Sequence, residues 1–268
     1  GEILIQGGAG GTDRPEIRAA DGSFRLLSGA DTSGLSYDFP RNFTLPDGRL
    51  FGFDTAGRMY WLNPAGNGSV TAAGSFPVAT AGSDSTGAMF SPGRILQFGG
   101  NSTNAIVIDV TSGTPSVSAT GSLAFQRRIG VATVLADGKV LASGGSIEWN
   151  VMNNVAYDAE IWNPATGQWT RGATAQRARL YHSVALLLPD ATVMVGGGGA
   201  PGPQNNLNHE IFHPPYLFKS DRTEAVRPAI ATAPTVVNPG RTVKLSVTHN
   251  RPVARVTFVK SGSVTHGW

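Results

Sequence analysis

The sequence predicts an all-β chain, an incomplete β-propeller of about five blades followed by the start of a β-sandwich. Three observations carry that expectation. Glycine occupies 35 of 268 positions while charged residues make up only 15%, a composition suited to many short strands joined by tight turns. A unit made of a turn, a short strand and a glycine-rich exit recurs at nearly constant spacing, and a fixed period of roughly 20 to 50 residues marks a repeat architecture. After the last unit the glycine-rich exits give way to segments of alternating polar and apolar residues.

Taken in order, Gly1-Glu-Ile-Leu-Ile-Gln-Gly-Gly8 reads as the middle of a unit, and Pro46-Asp-Gly-Arg-Leu-Phe-Gly-Phe-Asp54 is a weaker copy with Phe-Asp in place of the glycine pair. The full copies are Ser91-Pro-Gly-Arg-Ile-Leu-Gln-Phe-Gly-Gly100, Ala136-Asp-Gly-Lys-Val-Leu-Ala-Ser-Gly-Gly145 and Pro189-Asp-Ala-Thr-Val-Met-Val-Gly-Gly197. Starts at 46, 91, 136 and 189 are 45, 45 and 53 residues apart, the length of a four-stranded blade. The second half of a unit is clearest in Ala159-Glu-Ile-Trp162-Asn-Pro-Ala-Thr-Gly-Gln-Trp169, a strand, an Asn-Pro turn and a second tryptophan. A double glycine followed by spaced aromatics resembles the kelch repeat. Its aromatics would pack between blades, and its glycines let inner strands crowd around the axis.

Five exits, from Gly7-Gly8 to Gly196–Gly199, are countable, the first without its opening strands. Closed kelch propellers commonly have about six or seven blades, so the chain is expected to be about five of seven, part of a longer protein. The propeller is expected over residues 1–222, and the start of an immunoglobulin-like sandwich over 223–268, where Thr242-Val-Lys-Leu-Ser-Val-Thr248 and Ala254-Arg-Val-Thr-Phe-Val-Lys260 read as strands. That stretch is too short for the about 100 residues of a complete sandwich.

Composition excludes several roles. The 21 Lys and Arg against 18 Asp and Glu, net +3, form no dense basic run, so nucleic acid is not an expected partner. No apolar run approaches the roughly 20 residues of a membrane span, and the first eight residues are not a secretory signal. With no cysteine, these residues form no disulfide and supply no thiolate ligand.

Chemistry concentrates in Arg179-Leu-Tyr-His-Ser-Val-Ala-Leu-Leu-Leu-Pro-Asp190. Adjacent residues on a regular strand point to opposite faces, so Tyr181 and His182 serve one site only if the backbone bends there. From the residues alone the pair is either an accident of composition or the lip of a metal site. His209 and His213 have i, i+4 spacing, but Pro214-Pro215 follows and the neighbours read as strand, so both are expected to be structural. Gly196–Gly199 precedes no helix start of the Lys-Ser or Lys-Thr kind, and a crowded blade exit explains it. Gln126-Arg-Arg128 and Arg177-Ala-Arg179 read as solvated blade tops.

Kelch blades followed by an immunoglobulin-like domain, the Tyr181-His182 motif, the junction Glu210-Ile-Phe-His-Pro-Pro-Tyr-Leu217 and Lys260-Ser-Gly-Ser-Val-Thr-His266 together resemble the galactose oxidase and glyoxal oxidase family of copper radical oxidases. The resemblance runs along essentially the whole chain. It implies a secreted, monomeric enzyme that oxidises a primary alcohol, aldehyde or carbohydrate and reduces oxygen to hydrogen peroxide. It further implies one copper ion held by Tyr181, His182 and His266, with Tyr181 also the general base. Imidazole nitrogen and phenolate oxygen suit Cu(II), and neutral histidines bind better as pH rises.

Removing two electrons with one copper ion needs a second one-electron store. In the family this is a tyrosyl-cysteine radical cofactor, whose two residues are expected upstream of Gly1, so the 268-residue chain by itself is expected to be inactive. Arg41, in Phe39-Pro-Arg-Asn-Phe43, resembles the arginine that receives substrate. The stacking tryptophan of galactose oxidase would fall near Gly10, where this chain has Ala9-Gly-Gly-Thr12, which argues against galactose itself. The rival readings are a non-catalytic kelch scaffold presenting blade loops to a protein or glycan, and a copper-binding relative without the redox-active tyrosine.

Overall fold

The computed structural model describes residues 1–8, 13–77, 80–238 and 240–260. Five antiparallel sheets follow one another in chain order. The first contains β1 (Ile3–Ile5), β2 (Glu16–Arg18) and β3 (Phe24–Leu26); the second β4 (Arg41–Thr44), β5 (Leu50–Phe53), β6 (Arg58–Asn63) and β7 (Ser69–Ser75). The third contains β8 (Ser85–Ser91), β9 (Arg94–Gly99), β10 (Ala105–Asp109) and β11 (Ser116–Thr120). The fourth is β12 (Val131–Val134), β13 (Val140–Ser143), β14 (Asp158–Asn163) and β15 (Gln168–Thr174), and the fifth β16 (Ser183–Leu187), β17 (Val193–Gly197) and β18 (His209–Phe212). Each is an up-and-down meander, and the first strands of neighbouring blades, β8, β12 and β16, lie side by side. This is the five-bladed kelch-type propeller arc that the repeat predicts.

The repeat's sequence signals have separate physical jobs. In the turn between a blade's first two strands, Asp47, Asp137 and Asp190 each accept from the backbone N–H two residues on, at 3.0, 3.2 and 3.0 Å, the side-chain closure that favours aspartate in turns. The next residue is left-handed in all three, Gly48 at φ 84°, Gly138 at 83° and Ala191 at 64°. At the exit, the second glycine donates to the loop entering the next blade: Gly8 to Tyr37 O, Gly100 to Arg127 O and Gly145 to Arg179 O at 2.9, 3.0 and 2.7 Å. A Cβ on the first glycine of the fourth blade's pair, Gly144, would lie 2.6 Å from Arg179 O, so side chains are excluded where exit and entry loops press together. The weak copy solves this differently. Asp54, fully buried, accepts from the backbone N–H of Ser36, Ala56 and Arg58 and pairs with the Arg58 side chain.

The core lies between blades. Four apolar clusters fill the four interfaces, for example Phe51, Phe53, Ile95 and Ile108 between the second and third blades and Leu141, Ile161, Val193 and Val195 between the fourth and fifth. Strand alternation sorts β13: Leu141 faces the fifth blade while Val140 and Ala142 face the third. Both tryptophans of the Trp162…Trp169 pattern dock on the third blade, Trp162 edge-on to Phe90 at 4.8 Å and Trp169 edge-on to Phe98 at 5.1 Å. Their indole N–H groups donate to Thr120 Oγ1 and Gly121 O, which satisfies the polar end of a buried indole.

Past β18, a 3-10 turn at Pro215–Leu217 leads to a two-stranded sheet of β19 (Ala229–Thr232) and β20 (Ser246–Thr248). The predicted strand over 242–248 forms only over its last three residues, and 254–260, also predicted as strand, is irregular. Alternation alone does not make a strand; a neighbour must offer its edge. The pairing of β19 with β20 is short and broken by an irregularity at Ile230/Thr232. Residues 254–260 spend side chains on the propeller instead, Arg255 donating to Asp137 O and Thr257 to Ala136 O. No helix among the described residues is long and apolar enough to cross a membrane.

Candidate functional site

Tyr181 and His182 stand at the entry to β16, half-buried and exposed respectively. Ser183 N–H donates to Leu180 O at 2.9 Å, closing a turn whose third residue, His182, has φ 64°. That position ordinarily takes glycine, because a Cβ there crowds the backbone at a cost of about 1–2 kcal/mol. The turn removes strand alternation at the one place where it would separate the two side chains. Their rings stack with centroids 3.8 Å apart and planes at 28°.

The surroundings fix this arrangement. Tyr181 N–H donates to Asn150 Oδ1 at 3.3 Å, and Gly199 N–H donates to Tyr181 O at 2.7 Å. His182 Nδ1 lies 3.0 Å from Ala200 O. A carbonyl only accepts, so Nδ1 carries the proton and the ring's lone pair is at Nε2, the arrangement by which a backbone carbonyl orients a metal-ligating imidazole. A phenolic oxygen and an imidazole nitrogen also form a donor set that suits Cu(II).

The third predicted ligand, His266, lies outside the described residues, as does the Ala9–Thr12 stretch near the expected stacking position. Among the described residues no group of three or more His, Asp or Glu is arranged to hold a metal. Arg41 is buried at the start of β4, facing the third blade. It donates to the carbonyls of Phe39, Gly82, Ser83 and Ser85, and burial pushes its guanidinium down to about 10. His209 is on β18 and His213 follows it, so the pair does not share a helix face.

The arginines read as solvated blade tops divide. Arg177 is exposed and Arg128 pairs with Asp84, but Arg127 and Arg179 are 0% and 2% exposed. Each threads under its blade's glycine exit. Arg127 binds Gly144 O, Ala156 O, Asp158 O and the Glu160 carboxylate; Arg179 binds Gly197 O, Asn208 O and the Glu210 carboxylate. The other carboxylate oxygen accepts from the backbone three residues before the arginine, Ala124 N–H at 2.6 Å and Gln176 N–H at 2.7 Å. The repeated separations, 33 and 31 residues between Arg and Glu, were the available sequence signal. Burial lowers the Arg127 pKa, with Glu160 opposing the shift.

Sequence reasoning also missed Trp149, whose ring lies 5.0 Å from that of Tyr181 at 44°. A separate cleft of about 280 Å³ opens between the fourth and fifth blades, lined by Tyr157, Arg177, Phe212 and His213 among others, and does not include Tyr181 or His182.

Residues 127–176 match the family model described as Kelch motif. The chain is 30% identical to a galactose oxidase from Gibberella zeae in an alignment covering 88% of this chain and 38% of the relative, and a galactose oxidase from a particular strain of that species matches equally. Among solved structures, a novel fungal alcohol oxidase with catalytic diversity among the AA5 family, in complex with copper, superposes with TM-score 0.83 at 26% identity, covering 93% of this chain and 58% of that one. YjhT superposes with TM-score 0.57 at 12% identity over 78% of this chain and 77% of its own, a likeness of fold. The chain is a kelch-type propeller homologous to galactose oxidases, and it spans about 38% of the length of the curated relatives it matches.

Proposed function

We propose that this chain is part of a secreted copper oxidase that converts a primary alcohol or aldehyde to its next oxidation state and reduces oxygen to hydrogen peroxide. Tyr181, His182 and His266 hold one copper ion. The observation that carries the reading is the left-handed turn at His182, which stacks a phenol on an imidazole while Ala200 O fixes the imidazole's proton on Nδ1. Copper, when bound, supplies a Lewis-acid position for the substrate oxygen and accepts one electron. The Tyr181 phenolic oxygen takes the substrate's hydroxyl proton, and Asn150 Oδ1, accepting from the Tyr181 N–H, anchors the backbone that carries it. In balance, the alcohol loses two electrons and two protons and becomes the aldehyde, and oxygen gains both pairs.

The second electron needs a store besides copper. With no cysteine among these 268 residues, a tyrosyl-cysteine cofactor is not formed within them, and the chain by itself lacks oxidase activity in this reading. Arg41 is the residue that the family pattern assigns to receive substrate, and its carbonyl contacts bind it to the second and third blades.

The test is copper titration of the full-length protein carrying this segment, followed by electron paramagnetic resonance. One Cu(II) with nitrogen coupling is expected, and His182→Ala should weaken binding at least tenfold. An unchanged spectrum in that variant removes His182 from the site and leaves a kelch scaffold as the reading.

A further inference from the structure

We propose that the cleft between the fourth and fifth blades binds a small aromatic carboxylate, one ring carrying a short acid side chain, at a place that includes neither Tyr181 nor His182. The cleft exists because one position of the repeat is small. Past the end of a blade's last strand, a backbone N–H reaches the carbonyl just before the preceding strand: Phe76 to Gly57 O, Leu123 to Thr103 O and Ala175 to Tyr157 O, each at 2.9 Å. In the second and third blades the residue so placed is large, 4% exposed in both cases, and packs into the interface with the next blade. In the fourth it is Ala175, and about 280 Å³ stays open beside it.

The lining divides along the strands. Leu141, Ala159, Val195 and Phe212 supply apolar walls, while Ser143, Arg177 and Arg179 stand toward the glycine exit. Arg179 pairs with Glu210 at 2.9 Å. Arg177 is exposed and in no ion pair among the described residues, so two cations face one carboxylate and the charge left over is positive. Ser143 and Arg179 are 7% and 2% exposed, yet Ser143 Oγ and Arg179 Nε have no hydrogen-bond partner among the described residues, although buried polar atoms are ordinarily paired. A carboxylate answers these observations together, because it offsets the unpaired cation and accepts from a hydroxyl and from guanidinium N–H groups. The volume lies just below the roughly 300–1,000 Å³ of ligand pockets, which suits a single ring between the apolar walls and leaves no room for a disaccharide.

The experiment titrates 3-phenylpropanoate into the copper-free full-length protein carrying this segment, followed by isothermal calorimetry, in wild type, Arg177→Ala, Ala175→Phe and His182→Ala. One saturable site is expected in wild type, with binding weakened about fivefold both by Arg177→Ala and by exchanging the acid for the neutral 3-phenylpropanamide. Ala175→Phe, which gives the fourth blade the side chain that the second has at this position, should abolish binding, and His182→Ala should leave it unchanged. No saturable binding in wild type overturns the proposal, as does undiminished binding in Arg177→Ala or in an Ala175→Phe variant shown to be folded by its melting curve. Should Ala175→Phe fail to fold, Arg177→Ala decides. Binding lost in His182→Ala would move the acid to the Tyr181–His182 turn and equally overturn the proposal. With copper absent throughout, none of these outcomes bears on the copper reading.

Discussion

Truncating Glu160 to alanine removes the carboxylate that ties the third blade's exit loop to the fourth blade. Three contacts go at once: Ala124 N–H at 2.6 Å and the Arg127 guanidinium at 3.1 and 2.9 Å. Arg127, 0% exposed, keeps its bonds to Gly144 O, Ala156 O and Asp158 O but is left a buried cation without its paired carboxylate, and an N–H loses its acceptor. Breaking a buried pair from one side costs about 3–5 kcal/mol. Removing both charges is a different matter, because a buried pair exchanged for apolar side chains of similar volume is often close to neutral. The third blade already has an apolar residue at the carboxylate's position: β13 pairs Ala142 with Glu160, while the equivalent pair in β9 and β10 is Gln97 with Ile106. Glu160→Ala should therefore lower unfolding free energy by about 3–5 kcal/mol in equilibrium urea denaturation, and Arg127→Met with Glu160→Leu by about 1 kcal/mol or less. A double variant as damaged as the single one, or a single one costing under about 1 kcal/mol, would refute the argument that the clamp's charge and not its shape is at stake.

Two further outcomes are expected. Asp109, Asp190 and Asp221 are held below the ordinary carboxylate range, first by the hydroxyls of Thr111, Thr192 and Thr223 and then by the backbone N–H groups of the same threonines. Because the folded values are depressed, the unfolded chain binds protons first. Stability is fully present above about pH 4, the unfolded carboxylate range, and falls as pH drops through the lower folded values. Melting temperature measured from pH 7 to pH 2 should decline on the acid side, less steeply in a Thr111→Val, Thr192→Val, Thr223→Val variant; an identical slope would remove these turns from the explanation. Ala191→Gly should stabilise the chain by up to about 1 kcal/mol in the same urea assay, because Ala191 holds φ 64° where the copies at 48 and 138 have glycine.

What the sequence made legible was whatever each repeat states locally. The Asp-Gly turns, the glycine pairs at 99–100 and 144–145 and the Trp162…Trp169 spacing each depend on a few adjacent residues, and each is realised as read. The burial of Arg127 and Arg179 was not legible in that way. A charged loop residue is exposed by default, and the carboxylates that reverse this lie two strands downstream, reachable only once register is known. The segment 254–260 fails for the complementary reason, since its alternation is genuine but it pairs with no strand among the described residues. Trp149 shows the same limit at the site: nothing local separates an indole resting on Tyr181 from one simply left in solvent.

His182 and Ala191 make the point sharper, because one blade holds two non-glycine residues in the left-handed region at the same φ, 64°. At 191 the side chain is a methyl group and the repeat's other copies have glycine, so the strain there has no visible return. At 182 the side chain is an imidazole with its proton fixed by Ala200 O and its face against a phenol. Glycine at 182 would relieve the same strain and abolish the donor set. Left-handed non-glycine residues also stand at the entries to β4 and β12, Phe39 at φ 46° and Ile129 at 54°, so the turn belongs to blade entry, and what sets 182 apart is a side chain able to bind an ion. The glycine-for-alanine exchange at 191 sets the scale of the left-handed cost for a methyl side chain in the same blade.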